Sequence, residues 1–308
     1  MFLLDTYLHS NISRITLIVL LSVAFKCTNH KSLSIDVSPK HFKVQIPFML
    51  SGRGIIINTY WGNKKKHHVL CLDNHSPSWI KSSVIQYDHP FVKSGSLSFK
   101  TFTADGSPIQ GDVGICDSLS FETILFRNIP FYVMPDHPKD NKNDDGIFGS
   151  DVMSKGIWKI DFKKSELTFA SSIDSFKEIS QVEAFPATFN EQSISVSVDF
   201  GNNNVKTMDI DLGYNGYMLM PLKEFNNIRS STKALMRLGR FDTPAGENIV
   251  NDVSILDTVS INHNWFFTPV SSNERAKERL IGLDFFRRFD YVIFDFINKQ
   301  VYIPKKVW

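Results

Sequence analysis

The sequence predicts an all-β protein made of two similar lobes. Short runs of β-branched and aromatic residues alternate with turn residues, and no long helical pattern interrupts them. A hairpin that ends in an aspartate occurs twice, at Asp73 and at Asp211, which are 138 residues apart. A second unit with a central glycine follows each aspartate, at Gly149 and at Gly282. Two units repeated in the same order predict duplicated lobes, each of which delivers one carboxylate to a shared site.

The composition fits a folded protein with a large core. Hydrophobic residues make up 42% of the chain, and its 26 phenylalanines suit a β-rich interior. The formal net charge is +2 with 21% charged residues, so no dedicated nucleic-acid surface is expected. A chain of 308 residues has room for two domains of ordinary size.

Residues 1–41 are predicted to form an export leader and a tether. Residues 15–25 are almost wholly apolar, and the run is too short for a membrane-spanning helix, which needs about 20 residues. The run has the length of the apolar region of a signal peptide. Because Cys27 follows it closely, lipidation of that thiol is one outcome, and simple cleavage or an uncleaved anchor are the others. The expected location is therefore outside the cytoplasm, either periplasmic or as a lipoprotein attached to the membrane through its N-terminus.

The two predicted hairpins have the same layout. In the first, residues 54–61 form a strand, Gly62-Asn63 form the turn, and residues 67–72 return to Asp73. In the second, residues 193–200 form a strand, residues 201–204 form the turn, and residues 205–210 return to Asp211. The matching distances predict that both aspartates occupy the same position in their lobes.

The glycine units also match one another. Gly-Ile-Phe-Gly-Ser-Asp surrounds Gly149, and Leu-Ile-Gly-Leu-Asp-Phe-Phe surrounds Gly282. Each unit predicts a strand, the glycine, a short helix and a two-stranded hairpin. Asp161 and Asp295 end the penultimate strands just before turns, so we interpret them as structural turn residues. The predicted lobes are 42–172 and 186–308, joined by a linker over 173–185.

These units resemble the pepsin–retropepsin superfamily of aspartic proteases, in particular exported bacterial two-lobe members, over residues 42–305. The resemblance implies a pepsin-like double β-barrel with a cleft between the lobes. It assigns the catalytic positions to Asp73 and Asp211, and the segments that cross behind them to Gly149 and Gly282. The hairpin that contains Asp105-Gly106 takes the position of the substrate-covering flap. The implied chemistry is peptide hydrolysis by a water held between two carboxylates that share one proton, without cofactor or metal.

The sequence departs from the Asp-Thr-Gly motif of this family in both lobes. The first site reads Asp73-Asn74-His75, followed by Ser76, and the second reads Asp211-Leu212-Gly213. In the family the two threonines hold the loops together through their hydroxyl groups. Asn74 is able to donate and accept a hydrogen bond, whereas Leu212 is not. Gly213 still permits close approach of the backbone, and His75 adds a side chain that we expect to point toward solvent.

Several other polar residues receive a structural interpretation. We interpret His67-His68 as a surface pair and Arg287-Arg288 as a solvated helix end. Trp79 and Tyr217 are assigned either to the cleft or to the core. Cys71 and Cys116 either form a disulfide bond or stay as buried thiols, and the sequence contains no recognisable metal-binding motif.

Two functional hypotheses follow from the resemblance. In the first, the protein is an aspartic endopeptidase that acts on polypeptides through Asp73 and Asp211. In the second, it is a catalytically inactive relative whose cleft binds a peptide or a partner protein. Because both halves lie in one chain, a monomer is sufficient to complete the site.

Overall fold

The computed structural model describes residues 34–305 except 53, 63–65, 88–90, 103–107, 137–143, 191–192, 232–234, 243–247 and 275. Contacts divide the chain into Met1–Leu33 and Ser34–Trp308, and every described residue lies in the second unit. The predictions for Cys27 and for Asp105-Gly106 lie outside the described residues. In the part of the chain that is described, no helix is long and apolar enough to cross a membrane.

The chain forms 23 strands and four short α-helices within the described residues. The elements up to residue 170 are β1 (Asp36–Ser38), β2 (Lys43–Pro47), β3 (Met49–Ser51), β4 (Gly54–Trp61), β5 (Lys66–Leu72), β6 (Trp79–Lys81), α1 (Ser82–Tyr87), β7 (Phe91–Phe102), β8 (Pro108–Phe121), β9 (Ile124–Met134), β10 (Gly146–Phe148), α2 (Ser150–Met153), β11 (Ile157–Asp161) and β12 (Glu166–Ala170). Two 3₁₀ turns follow, at Ile173–Ser175 and Lys177–Gln181.

The remaining elements repeat the same order with small differences. They are β13 (Val182–Phe185), β14 (Ala187–Phe189), β15 (Ile194–Asp199), β16 (Val205–Asp211), β17 (Met218–Leu219), α3 (Leu222–Ser231), β18 (Leu235–Asp242), β19 (Asn248–Ile261), β20 (Asn264–Ser272), β21 (Leu280–Gly282), α4 (Leu283–Phe286), β22 (Tyr291–Asp295) and β23 (Gln300–Pro304). The ten-residue helix α3 was not predicted from the sequence, whereas both hairpins and both glycine units were, and these are confirmed.

Three sheets contain all of these strands. The first has nine strands and runs β1-β9-β6-β10-β5-β4-β8-β7, with β3 paired to β4. The second has eight strands and runs β14-β15-β16-β21-β17-β20-β19-β18. Between them, a six-stranded sheet in the order β13-β23-β22-β11-β12-β2 takes strands from both halves of the chain. One hydrophobic cluster extends through both halves, so they share a continuous core.

Each aspartate loop is positioned by a parallel strand pair. β5 lies beside β10, with Leu72 opposite Phe148, so Asp73 emerges at the end of that pair. β16 lies beside β21 in the same way, with Asp211 opposite Gly282. The hairpins predicted from sequence therefore lead into two loops of equivalent position.

Candidate active site

The carboxylates of Asp73 and Asp211 lie next to each other. The two side chains are hydrogen bonded, and each residue is only 8% exposed. A Cβ atom built on Gly213 would lie 2.3 Å from Asp73 Oδ2 and 3.1 Å from Asp211 Oδ1. Both carboxylates therefore meet at the same glycine, and residue 213 has to lack a side chain for this arrangement to exist.

Backbone N–H groups hold each carboxylate in its loop. His75 N–H donates to Asp73 Oδ1 at 2.8 Å, and Gly213 N–H donates to Asp211 Oδ1 at 2.8 Å. Tyr214 N–H donates a second hydrogen bond to the same oxygen of Asp211, at 3.2 Å. The two loops thus orient their carboxylates by the same kind of contact, although their sequences differ.

The environment favours one shared proton. Burial, reinforced by the negative charge of Asp211, raises the pKa of Asp73 to about 8. Burial also raises the pKa of Asp211 to about 6, against the opposing effect of the N–H donors of Gly213 and Tyr214. The mutual hydrogen bond favours a protonated Asp73 and an ionised Asp211. Near neutral pH the pair therefore carries one proton and one negative charge.

Asn74 ties the two loops together. Its Nδ2 donates to the carbonyl oxygen of Ile210 at 2.8 Å, and its Oδ1 accepts from Leu212 N–H at 2.9 Å. Asn74 is 2% exposed, so both bonds are shielded from water. Leu212 is fully buried and packs in the core instead of returning a side-chain hydrogen bond. Asn74 thus makes both of these hydrogen bonds between the two loops, while Leu212 contributes only its backbone N–H.

His75 adopts its backbone conformation without strain. It is absent from the described residues with positive φ, so an L-residue fits there. Its side chain is 21% exposed, and Nε2 lies 3.9 Å from Glu278 Oε2. The negative charge of Glu278 also raises the pKa of Asp211. His75 and Glu278 therefore form a polar border beside the carboxylate pair.

The two predicted glycines pack against the aspartate loops from behind. A Cβ on Gly149 would lie 2.3 Å from the Pro77 carbonyl carbon, and one on Gly282 would lie 2.2 Å from Gly216 O. Both glycines have extended backbone, so lack of space and not conformation requires them. Ser76 also supports this crossing, because its carbonyl oxygen accepts from Ser150 N–H at 2.8 Å.

Sequence reasoning missed three contributors to the site. Ser78 Oγ accepts from Gly149 N–H at 2.9 Å and donates to Asp151 Oδ1 at 2.6 Å, which fixes the first crossing. Glu278 lies 67 residues after Asp211 in the sequence. No local pattern marks it, whereas Asp151 stands inside the repeated glycine unit and could have been found there.

Two structural interpretations were wrong. His68 is buried, with its ring centroid 4.2 Å from that of Trp61 and its Nδ1 3.1 Å from Asp145 Oδ2. His68 has the same strand parity as buried Leu70, so alternation directs it inward. Arg288 is also not a solvated helix end, because it is half-buried against aromatic rings.

Other assignments are settled by the geometry. Cys71 and Cys116 are both buried, and neither forms a disulfide bond. Asp161 and Asp295 accept from the backbone N–H of turn residues 164 and 298 at 2.9 and 2.8 Å, which confirms their structural role. Trp79 is half-buried. Within the residues that the structure describes, no group of three His, Cys, Asp or Glu side chains could hold a metal ion.

No family model matches this chain, and no curated protein sequence does either. In all, 380 chains of solved structures resemble it, including the following two. The aspartic proteinase from Irpex lacteus has 16% identity and a TM-score of 0.55, over 86% of this chain and 98% of that one. Basic 7S globulin from soybean has 11% identity and a TM-score of 0.53, over 86% and 95% of the respective chains. At these identities the likeness concerns the fold, and it confirms that this chain has the bilobal, mostly β fold of pepsin-like aspartic proteinases.

Proposed function

We propose that this protein is an aspartic endopeptidase with Asp73 and Asp211 as its catalytic pair. The observation that carries the proposal is the hydrogen-bonded contact of two buried carboxylates across Gly213. Such a pair holds one proton, so it offers a base and an acid at the same place. The Irpex lacteus structure, named as an aspartic proteinase, supports the proposal through its fold.

The reaction follows from the protonation states. Ionised Asp211 takes a proton from a water molecule, whose oxygen then attacks the carbonyl carbon of the peptide bond. Asp73 donates its proton to the carbonyl oxygen, which gives a tetrahedral diol. Asp211 then passes the proton it took from water to the amide nitrogen, and the C–N bond breaks. One hydroxyl of the diol returns its proton to Asp73 in the same step, so a carboxylic acid and an amine are released and the pair again holds one proton. The polypeptide substrate supplies every other atom, so this sequence of steps uses no cofactor.

The test is cleavage of peptide libraries between pH 4 and pH 9. Asp73→Asn and Asp211→Asn keep the shape of each side chain and remove its ability to take up or donate the shared proton, and each is expected to lower kcat by more than about 10⁴-fold. Asp290→Asn is the matched control, because Asp290 is exposed and its carboxylate lies 3.9 Å from the exposed Lys163 ammonium in a surface ion pair. Cleavage that survives in both site variants would exclude this pair.

Leu212 favours a second candidate, an inactive relative whose cleft binds a peptide or a partner protein. A fully buried leucine returns no side-chain bond to the first loop, which leaves Asn74 as the connecting side chain. The similarity to a protein named a globulin is in keeping with this candidate. Saturable binding of a library peptide without product formation at any pH would favour it over the endopeptidase.

We also propose that the chain is exported and works as a monomer at the cell envelope. The apolar run at residues 15–25 and Cys27 support export, and the presence of both carboxylates in one chain supports a monomer. Cell fractionation of wild type and Cys27→Ser tests the location. Loss of the membrane-bound fraction in Cys27→Ser alone is the result expected for lipidation.

A further inference from the structure

We propose that the second half of the chain contains a binding site for a small oxyanion, a carboxylate or a phosphate, centred on Arg288. A cavity of about 320 Å³ lies there, lined by Tyr217, Asp284, Arg287 and Arg288. None of these four residues hydrogen bonds to Asp73 or Asp211 in the described part of the chain. The proposal therefore concerns a site other than the carboxylate pair.

Arg288 is held in a fixed position by aromatic rings. Its Cζ lies 4.4 Å from the centroid of the Phe285 ring, 5.4 Å from that of Phe266 and 5.7 Å from that of Tyr217. A guanidinium in such surroundings gains cation–π attraction but loses part of its hydration. The side chain is thus pre-positioned at the wall of the cavity.

This cation has no carboxylate partner among the described residues. Its hydrogen bond is from Nη2 to Thr268 Oγ1, at 3.1 Å, and its buried Nε–H has no acceptor. Asp284, the acidic residue of the cavity, is bonded to Arg287 at 2.8 Å. Burial lowers the pKa of Arg288 from its ordinary value. A buried charge without a counter-ion is unfavourable, so an anion that enters the cavity would relieve it.

The shape of the guanidinium selects the chemical class. Its remaining N–H donors form a planar fork that matches two oxygens of a carboxylate or a phosphate. The cavity is at the lower end of the range for small-molecule sites, which suits a small ion or the terminus of a peptide. Arg287 adds a second positive charge at the rim, and its side chain is 49% exposed.

The experiment follows the Nε–H resonance of Arg288 by NMR while three probes are added at constant ionic strength. The probes are inorganic phosphate, acetate, and a short peptide with either a free or an amidated C-terminus. We expect at least one probe to shift this resonance with saturation. A shift with phosphate alone would identify a phosphate site, and a shift with acetate would identify a site for a free carboxylate. A shift with the free-acid peptide alone would identify a site for a chain terminus.

Variants separate Arg288 from its neighbour. Arg288→Gln is expected to weaken binding by about 10- to 100-fold, because charged hydrogen bonds are lost. Arg287→Gln removes the second positive charge of the cavity and should weaken binding less than Arg288→Gln does, since the Arg287 side chain is 49% exposed. Lys163→Gln is the matched control and should change the affinity less than about threefold, since Lys163 is 74% exposed and is not among the described residues that line the cavity. If Arg288→Gln does not fold, Arg288→Lys keeps the charge and the stem but lacks the fork, and it should still bind more weakly than wild type.

Two results would overturn the proposal. One is that no probe shifts the Arg288 resonance at tens of millimolar. The other is that affinity is the same in the wild type and in the Arg288 variant that folds. Asp211→Asn should bind the probes within about twofold of wild type, because the site does not depend on the catalytic pair. If the protein does not cleave peptides, the proposed function fails, but the binding of the probes at Arg288 is still expected.

Discussion

At the scale of single residues, the Asn74 side-chain amide both donates and accepts a hydrogen bond between the two aspartate loops. Its amide spans 136 residues of sequence to reach Ile210 O and accepts from Leu212 N–H. Since all three groups are buried, removal of the amide leaves two backbone groups unpaired. Asn74 is therefore the point at which the two aspartate loops are joined.

We expect Asn74→Leu to lower the free energy of unfolding by about 2–5 kcal/mol, because each unpaired buried group costs about 1–3 kcal/mol. Urea unfolding at neutral pH measures the change. Asn58→Leu is the matched control, since Asn58 is exposed and bonds to His67 at 2.8 Å on the surface. The control should lose less than about 0.5 kcal/mol. Equal losses in the two variants would contradict the role of Asn74.

The polar border formed by His75 and Glu278 lies beside the carboxylate pair. Glu278 is 45% exposed, and its carboxylate lies 3.9 Å from the His75 ring. Because a nearby negative charge disfavours ionisation, Glu278 helps to keep the pKa of Asp211 high. The polar border thus acts on the carboxylate that is ionised in the proposed reaction.

The pH profile of cleavage should fall below about pH 6 and above about pH 8, since Asp211 must be ionised and Asp73 protonated. Glu278→Gln removes a negative charge, so the pKa of Asp211 should fall and the acid limb should move to lower pH, by up to about one unit. The measurement is kcat/KM against pH. Glu274→Gln, an exposed change in the same segment, should leave the limb in place. An acid limb that moves to higher pH in Glu278→Gln would refute the conclusion that Glu278 raises the pKa of Asp211.

At the scale of elements, each aspartate loop depends on a strand that crosses behind it. β10 pairs with both β5 and β6, and β21 pairs with both β16 and β17. Gly149 directly follows β10, and Gly282 is the last residue of β21. At both glycines, neighbouring backbone atoms leave no room for a Cβ. The position of each aspartate loop is thus set by backbone packing.

Gly149→Ala should therefore destabilise the protein by about 3 kcal/mol, since a methyl group would meet the backbone of residues 77 and 78 at 2.3 Å. The midpoint and slope of urea unfolding measure the loss. Gly52→Ala provides the control, because no atom lies within 4 Å of its Cβ position, and it should change stability by less than about 0.5 kcal/mol. A Gly149→Ala protein as stable as Gly52→Ala would show that the crossing tolerates a side chain.

Local patterns predicted the elements well and the contacts between them poorly. Alternation and turn glycines located both hairpins, since these depend on neighbours in sequence. The bond from Asn74 to Ile210 and the approach of Glu278 to Asp211 depend on how two loops meet in space. No spacing in the sequence predicts how the two loops pack together, so these contacts were seen only in the structure. His68 was different, because strand parity already placed it on the buried face.

At the scale of the whole molecule, the six-stranded sheet joins the two halves. β11 of the first half pairs with β22 of the second, and Ile160 lies opposite Val292. Both side chains are fully buried in a hydrophobic cluster that includes residues of each half. The carboxylate pair lies where the two halves meet, so its geometry depends on their staying together.

We therefore expect residues 34–308 to unfold in one cooperative transition. Ile57→Ala in the first half and Val198→Ala in the second each remove a buried side chain, and each should lower the same single midpoint by an amount equivalent to about 2–4 kcal/mol. Circular dichroism and tryptophan fluorescence in guanidinium chloride should give coincident curves for the wild type and both variants. If the halves were independent, Ile57→Ala would shift an early transition and leave a later one unchanged, and the two probes would separate. That separation would show that the sheet between the halves does not couple them, and the site would then have to tolerate relative motion of its two carboxylates.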